Sequence, residues 1–205
     1  VSKDEFIAKF KTIKGQDLKA VFKYFDGKTN DKALTHRIAQ EAQQLGVVIL
    51  ENTSLQTLQL TDECIQLATS AGDFQSSTLI NATGAWVDEL NTRFNLPSSY
   101  SIEKLSGIHL VINRVLVPEP LILETPSKRI FFIIPEASTT LIGTTERSEN
   151  QPVDAIKINN EDIEYLLKES NAYLNIALTR SDIQDVYIGT RPLIKSKKDP
   201  TKMSR

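Results

Sequence analysis

Hydrophobic and polar positions alternate along this chain with two periods, and the places where the period changes mark its elements. Phe6, Ile7, Phe10 and Ile13 recur at helical spacing with lysines between them. They predict an amphipathic opening helix whose stripe packs on the protein's own core rather than on a membrane surface. Ala20–Phe25 reads as a short strand that runs into an Asp26–Gly27 turn. Over Asp31–Gly46 the residues Leu34, Ile38, Ala42 and Leu45 fall on one helical face; Asn30 or Asp31 can cap the start, and Gly46 suits a left-handed stop. Val47–Leu50 has the character of a buried strand. Stretches 55–60, 64–69 and 76–81, separated by turn signals at Thr61–Glu63 and Ala71–Asp73, predict an antiparallel meander. Asn81–Gly84 is a tight turn of small residues, and Ala85–Phe94 a short helix.

Leu96–Pro97–Ser98–Ser99 interrupts the pattern and predicts a boundary. Beyond it strands dominate: His109–Ile112, Ile130–Ile134 and Thr140–Ile142 are β-branched or aromatic in character. A helix over 159–174 is expected, capped by Asn159 or Asn160 and burying Ile163, Leu166, Leu167 and Leu174. A last strand runs from Ile183 through Gly189 into Thr190–Leu193. Lys195–Arg205 carries five basic residues and one acid, and reads as a solvated tail.

Composition narrows the function classes. The formal net charge of −2, from 24 Lys and Arg against 26 Asp and Glu, provides no basic field to hold nucleic acid. The single cysteine, Cys64, excludes an internal disulfide and a cysteine-rich metal site, and fits a reducing compartment. No apolar run approaches the roughly 18 residues of a membrane span. Eight glycines are scattered singly, none forming G-x-G, so no glycine-rich dinucleotide loop lies within these 205 residues.

Candidate chemistry is sparse. His36 falls on the outer side of a predicted helix and reads as structural. His109 follows Ser106–Gly107–Ile108 at the start of an apolar strand, where a glycine permits close approach and an imidazole can accept a proton. Arg191 precedes Pro192 and is therefore biased to extended backbone at a strand end. Arg205 closes the basic tail. Guanidinium groups match two oxygens of a phosphate or carboxylate at once. No carboxylate pair, Ser-His-Asp arrangement or metal cluster can be assembled.

Several strings carry more than spacing. Tyr24-Phe25-Asp26-Gly27 with Asn30-Asp31, Asn81-Ala82-Thr83-Gly84-Ala85-Trp86-Val87, Ser106-Gly107-Ile108-His109 and Arg129-Ile130-Phe131-Phe132-Ile133-Ile134-Pro135 resemble segments of the FAD-dependent glycerol-3-phosphate dehydrogenases. So do Leu141-Ile142-Gly143-Thr144-Thr145, the helix at Asp162–Leu167, Gly189-Thr190-Arg191-Pro192-Leu193 and Met203-Ser204-Arg205, all in the family's order. The resemblance implies an α+β fold. Part of a glutathione-reductase-like FAD domain, a helix plus antiparallel meander over 28–95, would be entered from a capping-domain helix and strand at 1–27. A substrate-capping domain with a mixed or antiparallel sheet would cover 96–193, and 194–205 would be a basic tail. The family's G-x-G-x-x-G loop and its C-terminal region are not among these residues, so the chain is expected to be the central part of a longer enzyme and inactive alone.

Carried over by position, the resemblance implies that Thr53, Ser54, Leu55, Ala82, Thr83 and Gly84 approach FAD. His109 would take the proton of the C2 hydroxyl, Arg191 would hold the substrate near the flavin, and Arg205 would belong to a phosphate pocket. The implied reaction oxidises glycerol 3-phosphate to dihydroxyacetone phosphate and passes electrons to quinone. The implied parent is cytoplasmic, with peripheral attachment at the inner face of the membrane left open. Alternatives are an oxidase that uses oxygen, a related flavin oxidoreductase acting on amines, and a non-catalytic substrate-binding or regulatory domain. Glu136 departs from the family's usual tryptophan, and Glu146 from its usual aspartate.

Overall fold

A computed structural model describes residues 1–16 and 18–195. The chain divides into two compact units, Lys23–Ala82 and the remainder, which joins Val1–Phe22 to the chain from Thr83 onward. This division puts the short helix after the Asn81–Gly84 turn with the larger unit.

Among the described residues, the larger unit is built on six antiparallel strands. They are β4 (Ile102–Ile112), β5 (Leu121–Glu124), β6 (Ile130–Pro135), β7 (Thr140–Gly143), β8 (Arg147–Glu149) and β9 (Ile183–Ile194). The three preceding strands, β1–β3, belong to the smaller unit described below. Strand β4 organises the sheet: β9 pairs along its whole length on one edge, while β7 and β8 share the other. β7 takes His109–Ile112 and β8 takes Lys104–Ser106. Beyond β7 the sheet continues through β6 to β5.

Period-2 alternation decides which face is covered. Ile108, Leu110 and Ile112 are fully buried, as are Ile133 and Ile142 on neighbouring strands. Phe6 of α1 (Lys3–Lys9) joins them in one core with Phe10 and Ile13 just beyond that helix, and with Ile163, Leu166 and Leu167 from α4 (Asn160–Tyr173). Both helices start on the caps that satisfy their first free N–H groups. Ser2 forms a capping box with Glu5, and the Asn159 side chain accepts from Asp162 N at 2.7 Å. The helices thus cover one face of the sheet. The opposite face carries Gly107, His109, Gly143, Tyr187, Gly189 and Arg191.

The smaller unit contains α2 (Asp31–Gln44) and a meander of β1 (Leu55–Leu60), β2 (Ile65–Thr69) and β3 (Gly72–Ser76). The helix and the first two strands match the expectation, including the cap, where Asn30 Oδ1 accepts from Ala33 N at 2.9 Å. The third strand lies at Gly72–Ser76 and not at 76–81, because the hairpin turns tightly at Ser70–Ala71 and Gly72 already pairs with Thr69. Two further details differ. Ala20–Phe25 and Val47–Leu50 are not strands, and among the described residues none from Lys23 to Ala82 is buried. Leu34, Ile38 and Leu45 share a helix face that is solvent-exposed. An isolated stretch of apolar backbone gains ladder hydrogen bonds only from a neighbouring strand, and neither stretch has one here.

Candidate active site

The uncovered sheet face is organised as a cross-strand row. Phe132 on β6 lies opposite Gly143 on β7, Gly143 opposite His109 on β4, and His109 opposite Tyr187 on β9. Directly paired residues in an antiparallel sheet share a face, so the four meet side by side. Glycine at 143 is what lets the imidazole lie down: a Cβ there would stand 2.3 Å from His109 Cδ2. On its other side the imidazole stacks on Tyr187, with ring centroids 5.1 Å apart and planes 16° apart.

One step along the strands, Gly107 faces Gly189, and one step further Leu105 faces Arg191. The two glycines leave a floor without side chains between the imidazole and the guanidinium. The result is a cleft of about 490 Å³ lined by His109, Phe132, Thr144, Thr145, Glu146 and Arg191, among others. His109 Nδ1 is buried and without a hydrogen-bond partner. Burial, and then the nearby Arg191 charge, hold its pKa below the ordinary imidazole value of 6.5. At neutral pH His109 is therefore the free base.

The wall of the cleft is the segment between β7 and β8. It leaves β4 after Gly143 and rejoins it at Arg147. In the gap, Ile108 N–H donates instead to the Thr145 hydroxyl at 3.0 Å, and Thr144 Oγ1 donates to Thr145 O at 2.9 Å. Gly107 permits this approach, because a Cβ there would fall 2.4 Å from Thr145 O. Arg129 Nη1 donates to the Glu146 carbonyl at 3.1 Å, and the Glu146 carboxylate faces Arg191 Nη1 at 4.0 Å.

Beneath the cleft, on the helix-covered face, a polar cluster ties β4 to β8. Glu149 accepts from Ser106 Oγ at 2.5 Å, Arg147 Nε at 2.7 Å and Gln151 Nε2 at 3.1 Å. Burial alone would raise its pKa, but these donors outweigh it and hold the carboxyl below its ordinary value. Arg147 also reaches Asp162 at 2.7 Å, so the first turn of α4 is tied to the same cluster.

His109 and Arg191 are thus brought into one cleft. Thr83 and Gly84 begin a 3-10 turn (Gly84–Trp86) in the same unit, with Gly84 at φ +58° and the Thr83 carbonyl accepting from Trp86 N. Thr53, Ser54, Leu55 and Ala82 belong to the smaller unit; Thr53 Oγ1 donates to Glu51 O, and Ser54 N donates to Ser70 Oγ. Arg205 lies outside the described residues. Sequence reasoning passed over Tyr187 and the opposition of Glu146 to Arg191. Tyr187 stands two residues before Gly189 and four before Arg191, so strand alternation places it on their face; the Glu146 contact had no such local signal. Among the described residues no group of three or more metal-ligating side chains occurs, and no helix is long and apolar enough to cross a membrane.

Residues 1–201 match the model of the family described as FAD dependent oxidoreductase (DAO). The chain belongs to that family. The aerobic glycerol-3-phosphate dehydrogenase of Bacillus subtilis is 27% identical over 216 residues, which span 100% of this chain and 39% of the relative. Glycerol-3-phosphate dehydrogenase 2 of Mycobacterium bovis is 30% identical over 203 residues, spanning 94% of this chain and 34% of the relative. In structure, the chain is similar to the glycerol-3-phosphate dehydrogenase from Bacillus halodurans complexed with FAD. The TM-score is 0.87 at 24% identity, covering 97% of this chain and 42% of that one. The fold is therefore the mixed α/β, antiparallel-sheet fold of FAD-dependent oxidoreductases, and the chain spans less than half the length of these relatives.

Proposed function

We propose that this chain supplies the substrate-capping part and a piece of the flavin domain of an FAD-dependent glycerol-3-phosphate dehydrogenase, with the division near residues 95 and 96. One observation carries the reading. A neutral, half-buried imidazole with an unpartnered nitrogen and an arginine share a cleft whose floor is kept flat by Gly107 and Gly189. That floor and the free-base imidazole beside it fit a planar ring and a hydroxylated substrate lying against the sheet.

Arg191 binds the anionic end of glycerol 3-phosphate and orients it, since a guanidinium offers paired donors to phosphate oxygens. His109 accepts the proton of the C2 hydroxyl as the C2–H bond breaks, which its depressed pKa prepares it to do at neutral pH. FAD, when bound, would supply the acceptor for the C2 hydride and its two electrons. Tyr187 holds the imidazole plane by stacking, and Gly143 gives it room. Thr53, Ser54, Leu55, Ala82, Thr83 and Gly84 would hold FAD, and Arg205 would assist Arg191 at the phosphate. Quinone would be the final electron acceptor, which accords with a peripheral membrane association of the whole enzyme.

The test is kinetic. In the flavoenzyme, His109→Ala lowers kcat/KM for glycerol 3-phosphate by roughly a hundred- to ten-thousandfold, the usual contribution of a general base. Arg191→Ala lowers it by roughly ten- to a hundredfold, mainly through KM, as expected for a lost charged hydrogen bond. Wild-type kinetics in either variant would overturn the assignment. Reduction of a quinone analogue without peroxide identifies the acceptor. The purified 205-residue chain binds FAD weakly and is inactive; a stoichiometric flavin spectrum from it would overturn that expectation.

A further inference from the structure

Arg191, the cation assigned to the substrate's anionic end, does not stand alone in the cleft. Glu146 lines the same cavity and places its carboxylate 4.0 Å from Arg191 Nη1. That is ion-pair range, yet longer than a hydrogen bond, so the two charges attract without being locked together. Three contacts fix the backbone that carries Glu146. Its own carbonyl accepts from Arg129 Nη1 at 3.1 Å, the Thr145 hydroxyl accepts from Ile108 N–H at 3.0 Å, and β8 begins at Arg147 beside Ser106. The carboxylate is therefore aimed at Arg191 by a braced segment and not by a free side chain on an open loop. Both side chains remain partly exposed, at 45% for Arg191 and 27% for Glu146, so either can turn away when a competing group arrives.

We propose that Glu146 is the internal counter-anion of Arg191, a positioning residue that holds the guanidinium over the cleft when the site is empty and is exchanged for the anionic end of the substrate on binding. Substrate binding is then an exchange of anions on one cation rather than an addition. The exchange has two consequences. Arg191 is kept from swinging into solvent, which lowers the ordering cost of binding. The same carboxylate repels an arriving phosphate, so weakly bound anions such as chloride or free phosphate are kept off, and only a ligand that also engages the imidazole end of the cleft displaces it. The proposal rests on the reading of the cleft as an anion site, and the test separates the two.

Inorganic phosphate is titrated at low salt into the wild-type chain and three variants, Glu146→Gln, Glu146→Asp and Arg191→Ala, following the Tyr187 ring signals by NMR in all four and the Arg191 side-chain Nε–H signal where the arginine is present. Glutamine keeps an oxygen for Arg191 but removes the competing charge. Glu146→Gln is expected to bind phosphate about fivefold more tightly, the scale of one partly exposed charge pair, and the advantage should shrink as sodium chloride is added. Glu146→Asp should stay near wild type. In the flavoenzyme, Glu146→Gln should shift KM for glycerol 3-phosphate by a larger factor than kcat. Phosphate affinity in Glu146→Gln that equals or falls below wild type, with Arg191→Ala having lost binding, overturns the counter-anion role and leaves the anion site standing. Unchanged phosphate affinity in Arg191→Ala overturns the anion site itself.

Discussion

The two units of this chain have similar local grammar and opposite burial. Both contain a capped amphipathic helix and antiparallel strands with turn residues where the chemistry asks for them. Among the described residues of the larger unit, sixteen hydrophobic side chains close into one core between sheet and helices. In the smaller unit, among the described residues, nothing is buried, and α2 turns Leu34, Ile38 and Leu45 to solvent. Local pattern and hydrogen bonding suffice to draw an element, but an amphipathic face becomes stabilising only where a second layer meets it. The residues assigned to proton and anion chemistry, His109 and Arg191, sit on the unit that has its layer, where packing holds their strands in register.

Truncation should expose this contrast most strongly. Leu110→Ala removes a fully buried side chain from the centre of the sheet and should cost about 2–5 kcal/mol. Leu45→Ala, at 85% exposure, should change stability by no more than about 0.5 kcal/mol. Urea denaturation of both variants measures the difference, and equal losses would mean that the two units are not built differently. Amide exchange sharpens the same point: the amides of α2 should exchange well before those of β4 and β9.

The glycines of the cleft give an intermediate effect. A methyl group at Gly143 would overlap the imidazole and one at Gly107 would overlap the Thr145 carbonyl, whereas nothing stands within 4 Å of one at Gly189. Gly143→Ala and Gly107→Ala should each lower stability by about 1–3 kcal/mol, the usual cost of overpacking. Gly189→Ala should leave the melting temperature unchanged or raise it slightly, because only unfolded-state freedom is lost. A destabilised Gly189→Ala protein would show that the cleft floor is more tightly built than its geometry implies.

The smallest effect is the pH dependence of His109. Its folded pKa lies below 6.5, so the unfolded chain binds the proton more readily. The associated stability is fully present above the unfolded value and is lost as pH falls from there through the depressed folded value. An NMR titration of the ring should show a midpoint below 6.5, and His109→Gln should flatten the acid limb of the stability curve below pH 6.5. A midpoint at or above that value would contradict the buried, cation-flanked setting.

What the sequence made legible follows from the reach of each signal. The caps of α2 and α4, the first two strands of the meander, and the long β9 strand are encoded within a few residues of themselves, and all are found. Val47–Leu50 is apolar enough to want burial, but apolarity states a need and not the presence of a cover, so a strand was expected where none forms. In the site, Gly-x-His and Arg-Pro drew attention to His109 and Arg191 because glycine and proline constrain their neighbours' backbone. Glu146 reaches Arg191 from the segment between β7 and β8, and Tyr187 meets His109 only through the β4–β9 pairing; alternation within β9 gives the face of Tyr187 but not its partner, because register is set by the whole sheet.

The divided edge of β4 has a consequence for how such a protein diversifies. Because β7 and β8 grip that edge as two separate ladders, the three residues from Thr144 to Glu146 bridge them without carrying the sheet's pairing between His109 and Ser106. Residues can be exchanged or inserted in the bridge while both ladders keep their register. One short segment can thus be rewritten over generations to suit a new substrate, while the frame that holds the imidazole and the guanidinium is inherited unchanged.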